Sequence, residues 1–246
     1  MKIGILTDIH NNVIALDAVL QEFERQSCEK IVCAGDIIGI GPNPEETVQK
    51  MISIPNLIAV RGNHEKYLLE GMPSEYPNDE GMDYDEMEHH KWEHQCLSPS
   101  SVEFLRGLPY RVDFHECGKK ISVMHYCMNE KNQYVHYTPN PTETDLLELF
   151  PEMDQDVVIY GHDHARKICH HQDRWFINSG SLGCPASDKN IARAAILEME
   201  ENGHIAVNSI EVAYDVAKVI ERIDSIRYPT YREIKKFFYG ISEAHI

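Results

Sequence analysis

Two histidines flank one aspartate in DVVIYGHDHARK, residues 156–167, directly after an apolar, β-branched run that stops at a glycine. His162 and His164 stand two apart, so a strand or a turn can bring both imidazoles to one point. A pair of imidazoles holds part of a metal shell and cannot complete it, so further ligands must come from elsewhere in the chain. Four other apolar runs end in the same kind of residue. IGILTDIHNN gives Asp8 and His10, IVCAGDIIG gives Asp36, NLIAVRGNHE gives Asn63 and His64, and ISVMHYCMN gives His125. Each has an ordinary explanation alone: a helix cap for Asp8, a loop carboxylate for Asp36, a turn former for Asn63. Five such endings, all at the same end of an apolar run, point instead to a shared site.

The chemistry follows from the ligand types. One bridging carboxylate, a second Asp, an Asn oxygen and four His fill two neighbouring metal positions, and no Cys falls at a strand end. Imidazole with carboxylate suits Mn, Fe, Ni, Zn or Co, with Mn²⁺ favoured here for activity, whereas Mg and Ca prefer all-oxygen shells. Two cations about 3.5–4 Å apart ready a hydroxide at neutral pH and clamp both oxygens of an in-line phosphoryl displacement. Hydrolysis of a phosphomonoester or phosphodiester is the expected reaction. His64 is surplus to that ligand set, so it is assigned to catalysis, as donor to a phosphoryl oxygen or to the leaving group. A further ligand and a plain turn histidine are its alternative readings.

The elements that position these residues are legible from periodicity. Runs of four to six residues rich in Ile and Val suit strands buried on both faces. NNVIALDAVLQEFERQ places Val13, Leu16, Leu20 and Phe23 at helical spacing, with Asn11 or Asn12 as cap, and NPEETVQKMIS starts on Asn43 with Pro44 at its first position. Strand–helix alternation implies parallel pairing and an α/β fold in which strand carboxyl ends share one rim. SPSSVEFLRGLP reads as a short helix, and ARAAILEMEENGHIAVNSIEVAY as a hairpin turned at Asn202-Gly203. The Gly- and Ser-rich turn at 179–183 either offers N–H groups to an anion or lets two strand ends approach closely.

Composition bounds the rest. The 246 residues are 42% hydrophobic and 26% charged, ordinary values for a globular chain without a membrane span. A formal charge of −17 argues against nucleic-acid binding, while leaving room for a small phosphorylated substrate held through divalent cations. Seven cysteines without a CxxC pair read as reduced thiols, and a cytoplasmic location is expected.

With DIH, GD, GNHE, a lone His and GHDH in this order, the chain resembles the calcineurin-like metallophosphoesterase superfamily, most closely its small bacterial and archaeal phosphodiesterase branch. GDIIGIGPNP, INSGSLGCP and the tail VAYDVAKVIERI are similar to blocks of that branch. The resemblance implies a four-layer αββα sandwich of two mixed sheets flanked by helices, of which spacing alone yields only the parallel half. It also implies that Asp8, His10, Asp36 and His164 hold one metal and that Asp36, Asn63, His125 and His162 hold the other. His64 is then the catalytic histidine.

Several departures bear on the site. Asn11 replaces a usual Gly and is expected to stiffen the first ligand loop. Glu65 stands where the branch usually has Asp, as in the Ser/Thr protein phosphatases, but the Asp-Arg-Gly that follows the bridging Asp in those enzymes is missing. Arg61 is a candidate replacement phosphate contact, with a purely structural role in its turn as the equal alternative. MHYCMN takes the place of His-Gly-Ser, so Tyr126 is expected to put a ring beside the metals, against substrate.

Residues 71–100 are acidic and His-rich and belong to an expected helical cap insertion at about 71–107 within a single domain. His90 and His94 share a helix face there but lack a third ligand in reach by sequence, so a solvated helix is the expected form. Tyr76, Tyr84 and Trp92 are candidates for stacking on a base or an aromatic leaving group. The expected function is metal-dependent phosphoester hydrolysis. Dinucleoside polyphosphate hydrolysis, protein dephosphorylation and a non-catalytic scaffold on the same fold are the alternatives.

Overall fold

The computed structural model describes residues 1–72, 82–131, 133–135, 137–151, 153–184 and 190–241. Strand and helix alternate at first: β1 (Lys2–Leu6), α1 (Val13–Arg25), β2 (Lys30–Cys33), α2 (Pro44–Ile52) and β3 (Leu57–Ala59). Asn12 caps α1 through its side chain, accepting from the Ala15 N–H at 3.0 Å. Asn43 occupies the cap position of α2 with Pro44 behind it, but its side chain makes no capping bond. The strand ends are followed by α3 (Asn63–Glu70), α4 (Tyr84–Cys96) and α5 (Pro99–Gly107). The chain continues through β4 (Arg111–Glu116), β5 (Lys119–Met124), α6 (Glu143–Leu149), β6 (Val157–Ile159), β7 (Lys167–His171) and β8 (Arg174–Asn178). A hairpin of β9 (Ile191–Met199) and β10 (Ile205–Ala213), then α7 (Val216–Ile226) and α8 (Tyr231–Tyr239), complete it.

Two five-stranded sheets result, in the orders β10-β9-β1-β2-β3 and β4-β5-β6-β8-β7. Both are mixed. β1, β2 and β3 run parallel, as the alternation requires, while the β9–β10 hairpin joins them antiparallel to β1. In the second sheet β5, β6 and β8 are parallel, and β4 and β7 flank them antiparallel.

Alternation along the strands divides the core. Ile3, Ile5, Val32 and Leu197 of the first sheet meet Ile121, Val123, Val157, Ile159 and Ile177 of the second in one apolar layer. Leu6 and Cys33 point the other way and pack with Leu16, Val19 and Phe23 of α1. On the far face of the second sheet, Val158, Tyr160 and Phe176 pack with Leu146 and Phe150 of the α6 segment. The order is therefore helix, sheet, sheet, helix, a four-layer sandwich. Each fully buried Ile or Val contributes about 1.5–3 kcal/mol, so the inter-sheet layer holds the carboxyl ends of β1, β2 and β3 firmly beside those of β5 and β6. Among the described residues, no helix is long and apolar enough to cross a membrane.

Candidate metal centre

Asp8 and His10 leave β1, Asp36 leaves β2, Asn63 and His64 open α3 just beyond β3, His125 follows β5, and His162 and His164 follow β6. The ligand loops are bent where chemistry is placed. Asp8, His10, Asn11, Asp36, His162 and His164 all have positive φ, between 48° and 80°. A left-handed backbone costs about 1–2 kcal/mol for a residue with a Cβ, and such strain concentrates at functional sites when surrounding bonds over-determine it. Here the loops zip together: the Asp8, His10 and Asn11 amides donate to the carbonyls of Gly35, Asp36 and Ile37 at 3.0–3.1 Å. Glu65 completes the frame. Its carboxylate accepts from the amides of Asp36, Ile37, Ile38 and Gly62 at 2.7–3.0 Å. Burial and the Asp36 carboxylate push Glu65 up to about 7, against the pull of those four donors.

The side chains converge in two groups that share Asp36. In the first, His10 Nε2 lies 2.9 Å from His164 Nε2, and Asp8 Oδ1 is 3.8 Å from the former and 3.6 Å from the latter. In the second, Asn63 Oδ1 is 3.0 Å from both His125 Nε2 and His162 Nδ1. Asp36 Oδ2 stands between them, 3.2 Å from His125 Nε2 and 3.9 Å from His10 Nε2. Two of the imidazoles have their second nitrogen tied to a backbone carbonyl, His10 Nδ1 to Ile38 at 3.1 Å and His125 Nδ1 to Ala34 at 2.8 Å. A carbonyl accepts only, so Nδ1 carries a proton and Nε2 faces the cluster, the orientation of metal-bound histidine, whose Nε2 lone pair is free once that ring is neutral. Lone pairs and carboxylate oxygens aimed at common points fit divalent cations and fit nothing apolar.

The electrostatics vary within the cluster. Burial, and then His125, hold His162 down at about 3, whereas the Asp36 carboxylate overcomes burial and raises His125 to about 9. His64 is 7% exposed, and burial lowers it to about 4, so its imidazole is neutral at pH 7. Its backbone N–H donates to Asp36 Oδ1 at 3.1 Å, and its Nε2 is 3.8 Å from Asp36 Oδ2. Its Nδ1 has no hydrogen-bond partner and lies against Gly39, where a Cβ would stand 2.3 Å away.

Helix α4 departs from the solvated form expected for it. His89, His90 and Glu93 are 3%, 0% and 0% exposed. One Glu93 oxygen accepts from Asn11 Nδ2 and from the Gly39 amide, and the other lies 3.2 Å from His90 Nδ1. The His90 ring is in turn 4.9 Å from that of His64. Against its burial, Glu86 and Glu93 raise His90 to about 9. Asn11 therefore does more than stiffen its loop: in place of Gly it supplies a side chain that ties α4 to the first ligand loop. Ligand atoms of His90, Glu93 and His94 also fall within 4.8 Å of one another, but Glu93 is already committed to the two loops.

The other residues singled out in the sequence are placed as follows. Arg61 turns to the end of α5, donating to the carbonyls of Leu108 at 2.6 Å and Arg106 at 2.9 Å. Tyr126 is 1% exposed and packs behind His162, its hydroxyl accepting from the Thr138 amide at 3.1 Å. Neither lines the cleft over the cluster. Amides of the Ser-rich turn are spent on the protein itself, Leu182 donating to Thr7 and Gly183 to Asp8, so that turn closes two strand ends together and offers these groups to no anion. Trp92 stacks on Tyr228 at 4.6 Å, Tyr84 is 62% exposed, and Tyr76 lies outside the described residues. Asp163, between the two histidines of GHDH, braces the turn by accepting from Asn178 Nδ2 at 2.6 Å and from the Ala165 amide at 3.2 Å.

The cleft above the cluster encloses about 380 Å³ and runs between α4 and α8. Asp36, Asn63, His64, His162 and His164 form its cluster side. Phe237 and Phe238 come from α8, a helix not foreseen from sequence although Tyr231, Ile234 and Phe238 repeat at helical spacing.

The calcineurin-like phosphoesterase superfamily domain matches residues 1–202, and the chain belongs to that superfamily. It is 29% identical to an uncharacterized protein of Methanocaldococcus jannaschii over 251 residues, covering 93% of this chain and 94% of that one. Among solved structures it is similar to a metallophosphoesterase from Sphaerobacter thermophilus, with 24% identity and a TM-score of 0.75 over 98% of this chain and 99% of the other. A hypothetical protein from Pyrococcus horikoshii OT3 superposes with a TM-score of 0.81 at 19% identity, over 98% and 99% of the two chains. The shared fold is the two-sheet sandwich described above.

Proposed function

We propose that the protein is a phosphoester hydrolase that works with two divalent cations, Asp8, His10, Asp36 and His164 holding one and Asp36, Asn63, His125 and His162 the other. The observation that carries this reading is the position of Asp36 Oδ2 between the two imidazole groups, within 3.9 Å of a histidine in each. Bound cations of the Mn²⁺ type would supply Lewis acidity and lower the pKa of water at the cluster. The protein supplies the rest. Strand ends from two sheets fix the ligands, and the zipped loops keep them in place without reorganisation. His64, neutral at pH 7 and at the mouth of the cluster, carries one ring proton. It donates a hydrogen bond to an oxygen of the phosphoryl or leaving group as charge develops there. Its position on the first turn of α3 adds the favourable field of a helix N-terminus for an anion.

The test is hydrolysis of bis-p-nitrophenyl phosphate and p-nitrophenyl phosphate with Mn²⁺, before and after chelation. Turnover should require the metal. His64→Ala should retain metal content by elemental analysis while losing about 10²–10⁴-fold in kcat. A protein that takes up divalent cations and hydrolyses neither ester would instead support a scaffold role.

A further inference from the structure

The cleft has two electrostatic halves. Its buried side carries the metal-ligand cluster and His90, which lines the cleft at 0% exposure with its Nε2 3.7 Å from Glu86 Oε1. The outer lining is of the opposite character. Asp83, Asp85 and Glu86 from the start of α4 line it together with Glu233 of α8 and the exposed Phe237, whose ring has Lys236 Nζ 5.6 Å from its centroid. No Lys or Arg lines the cleft among the described residues.

Such a lining discriminates by charge. A second phosphate beyond the reacting one would meet the Asp83, Asp85 and Glu233 carboxylates, which no Lys or Arg of the described cleft lining offsets. An ammonium in the same place would meet carboxylates that attract it. We propose that the cleft selects zwitterionic phosphoesters, the phosphoryl group at the aspartate–histidine cluster and an amine-bearing alcohol portion among Asp83, Asp85 and Glu233. The inference rests on the phosphoesterase reading and narrows it: phosphorylated amino alcohols and their diesters fit, whereas dinucleoside polyphosphates do not.

The experiment compares p-nitrophenyl phosphorylcholine with its uncharged carbon isostere, p-nitrophenyl 3,3-dimethylbutyl phosphate, on the Mn²⁺-loaded protein at low ionic strength. In parallel, calorimetry measures binding of phosphocholine and of 3,3-dimethylbutyl phosphate. The cationic member of each pair should be favoured about tenfold or more, a factor worth about 1.4 kcal/mol, and the preference should fall as salt rises. In Asp85→Asn/Glu233→Gln the ratio should drop toward one. Equal handling of both members in hydrolysis and binding, or a preference for thymidine 5′-p-nitrophenyl phosphate over the choline ester, overturns the proposal. If neither ester is hydrolysed yet phosphocholine binds more tightly than its isostere, the charge selection stands and the hydrolase reading falls.

Discussion

Glu93→Gln is the most informative single change, because it removes a buried charge while keeping the shape of the side chain. Glu93 and His90 are both 0% exposed and 3.2 Å apart. The amide oxygen of Gln still accepts from Asn11 and Gly39, so what is lost is chiefly the counter-charge of His90. Breaking a buried pair from one side costs about 3–5 kcal/mol. The His90 pKa of about 9, against an ordinary 6.5, corresponds to about 3 kcal/mol at 1.36 kcal/mol per pH unit for Glu86 and Glu93 together, so about 3 kcal/mol is taken as the scale of the Glu93 effect. For a chain of this length that is a fall in Tm of about 6–12 °C. Because the folded-state pKa of His90 is raised, its contribution is fully present below about pH 6.5 and is lost as pH rises through about 9. The wild type and Glu93→Gln should therefore differ by about 3 kcal/mol at pH 6.5 and converge toward pH 10. Glu93→Gln/His90→Gln should recover part of the loss at pH 6.5, since both charges are then gone. Urea unfolding followed by circular dichroism at the two pH values reads all of this. A gap of the same size at both, or a double variant no more stable than Glu93→Gln, would refute an ionised pair.

Two further outcomes follow from contacts at the ligand loops. Gly39→Ala places a Cβ 2.3 Å from His64 Nδ1 on a backbone with φ of +98°, so His64 must move. Turnover should fall about 10²-fold with metal content unchanged, and undiminished kcat would show that the position of His64 is immaterial. Glu65→Ala orphans the amides of Asp36, Ile37, Ile38 and Gly62. At about 1–3 kcal/mol for each buried donor left unpaired, a loss of at least about 3 kcal/mol and weaker Mn²⁺ binding are expected. Thermal melts and calorimetry that match the wild type would contradict that role.

The ligand cluster was readable from sequence because its grammar is local. Each apolar run ends at a residue that binds metals, and strand–helix alternation dictates a common rim. The parallel core of the first sheet followed from the same alternation. The second sheet's mixed order came only through resemblance, since its strands β5, β6 and β8 are separated by segments with no clear helical period. What escaped local reading is contact between segments far apart in the chain. Nothing in EHHKWEHQC marks Glu93 as the partner of Asn11, 82 positions earlier, and its mixed polar composition reads as a wet helix. Arg61 looked free for substrate for the same reason: its acceptors are carbonyls at the end of α5, which only tertiary structure brings near.

Glu93 joins two jobs that many enzymes keep apart. The helix that supplies one wall of the cleft also fastens the turns from which His10 and Asp36 project. A wall of this kind cannot be exchanged like a removable lid, because altering what enters the cleft also alters how firmly the aspartate–histidine cluster is held. Selection for a new substrate would then favour the tips of α4 and α8 and leave the middle of α4 alone.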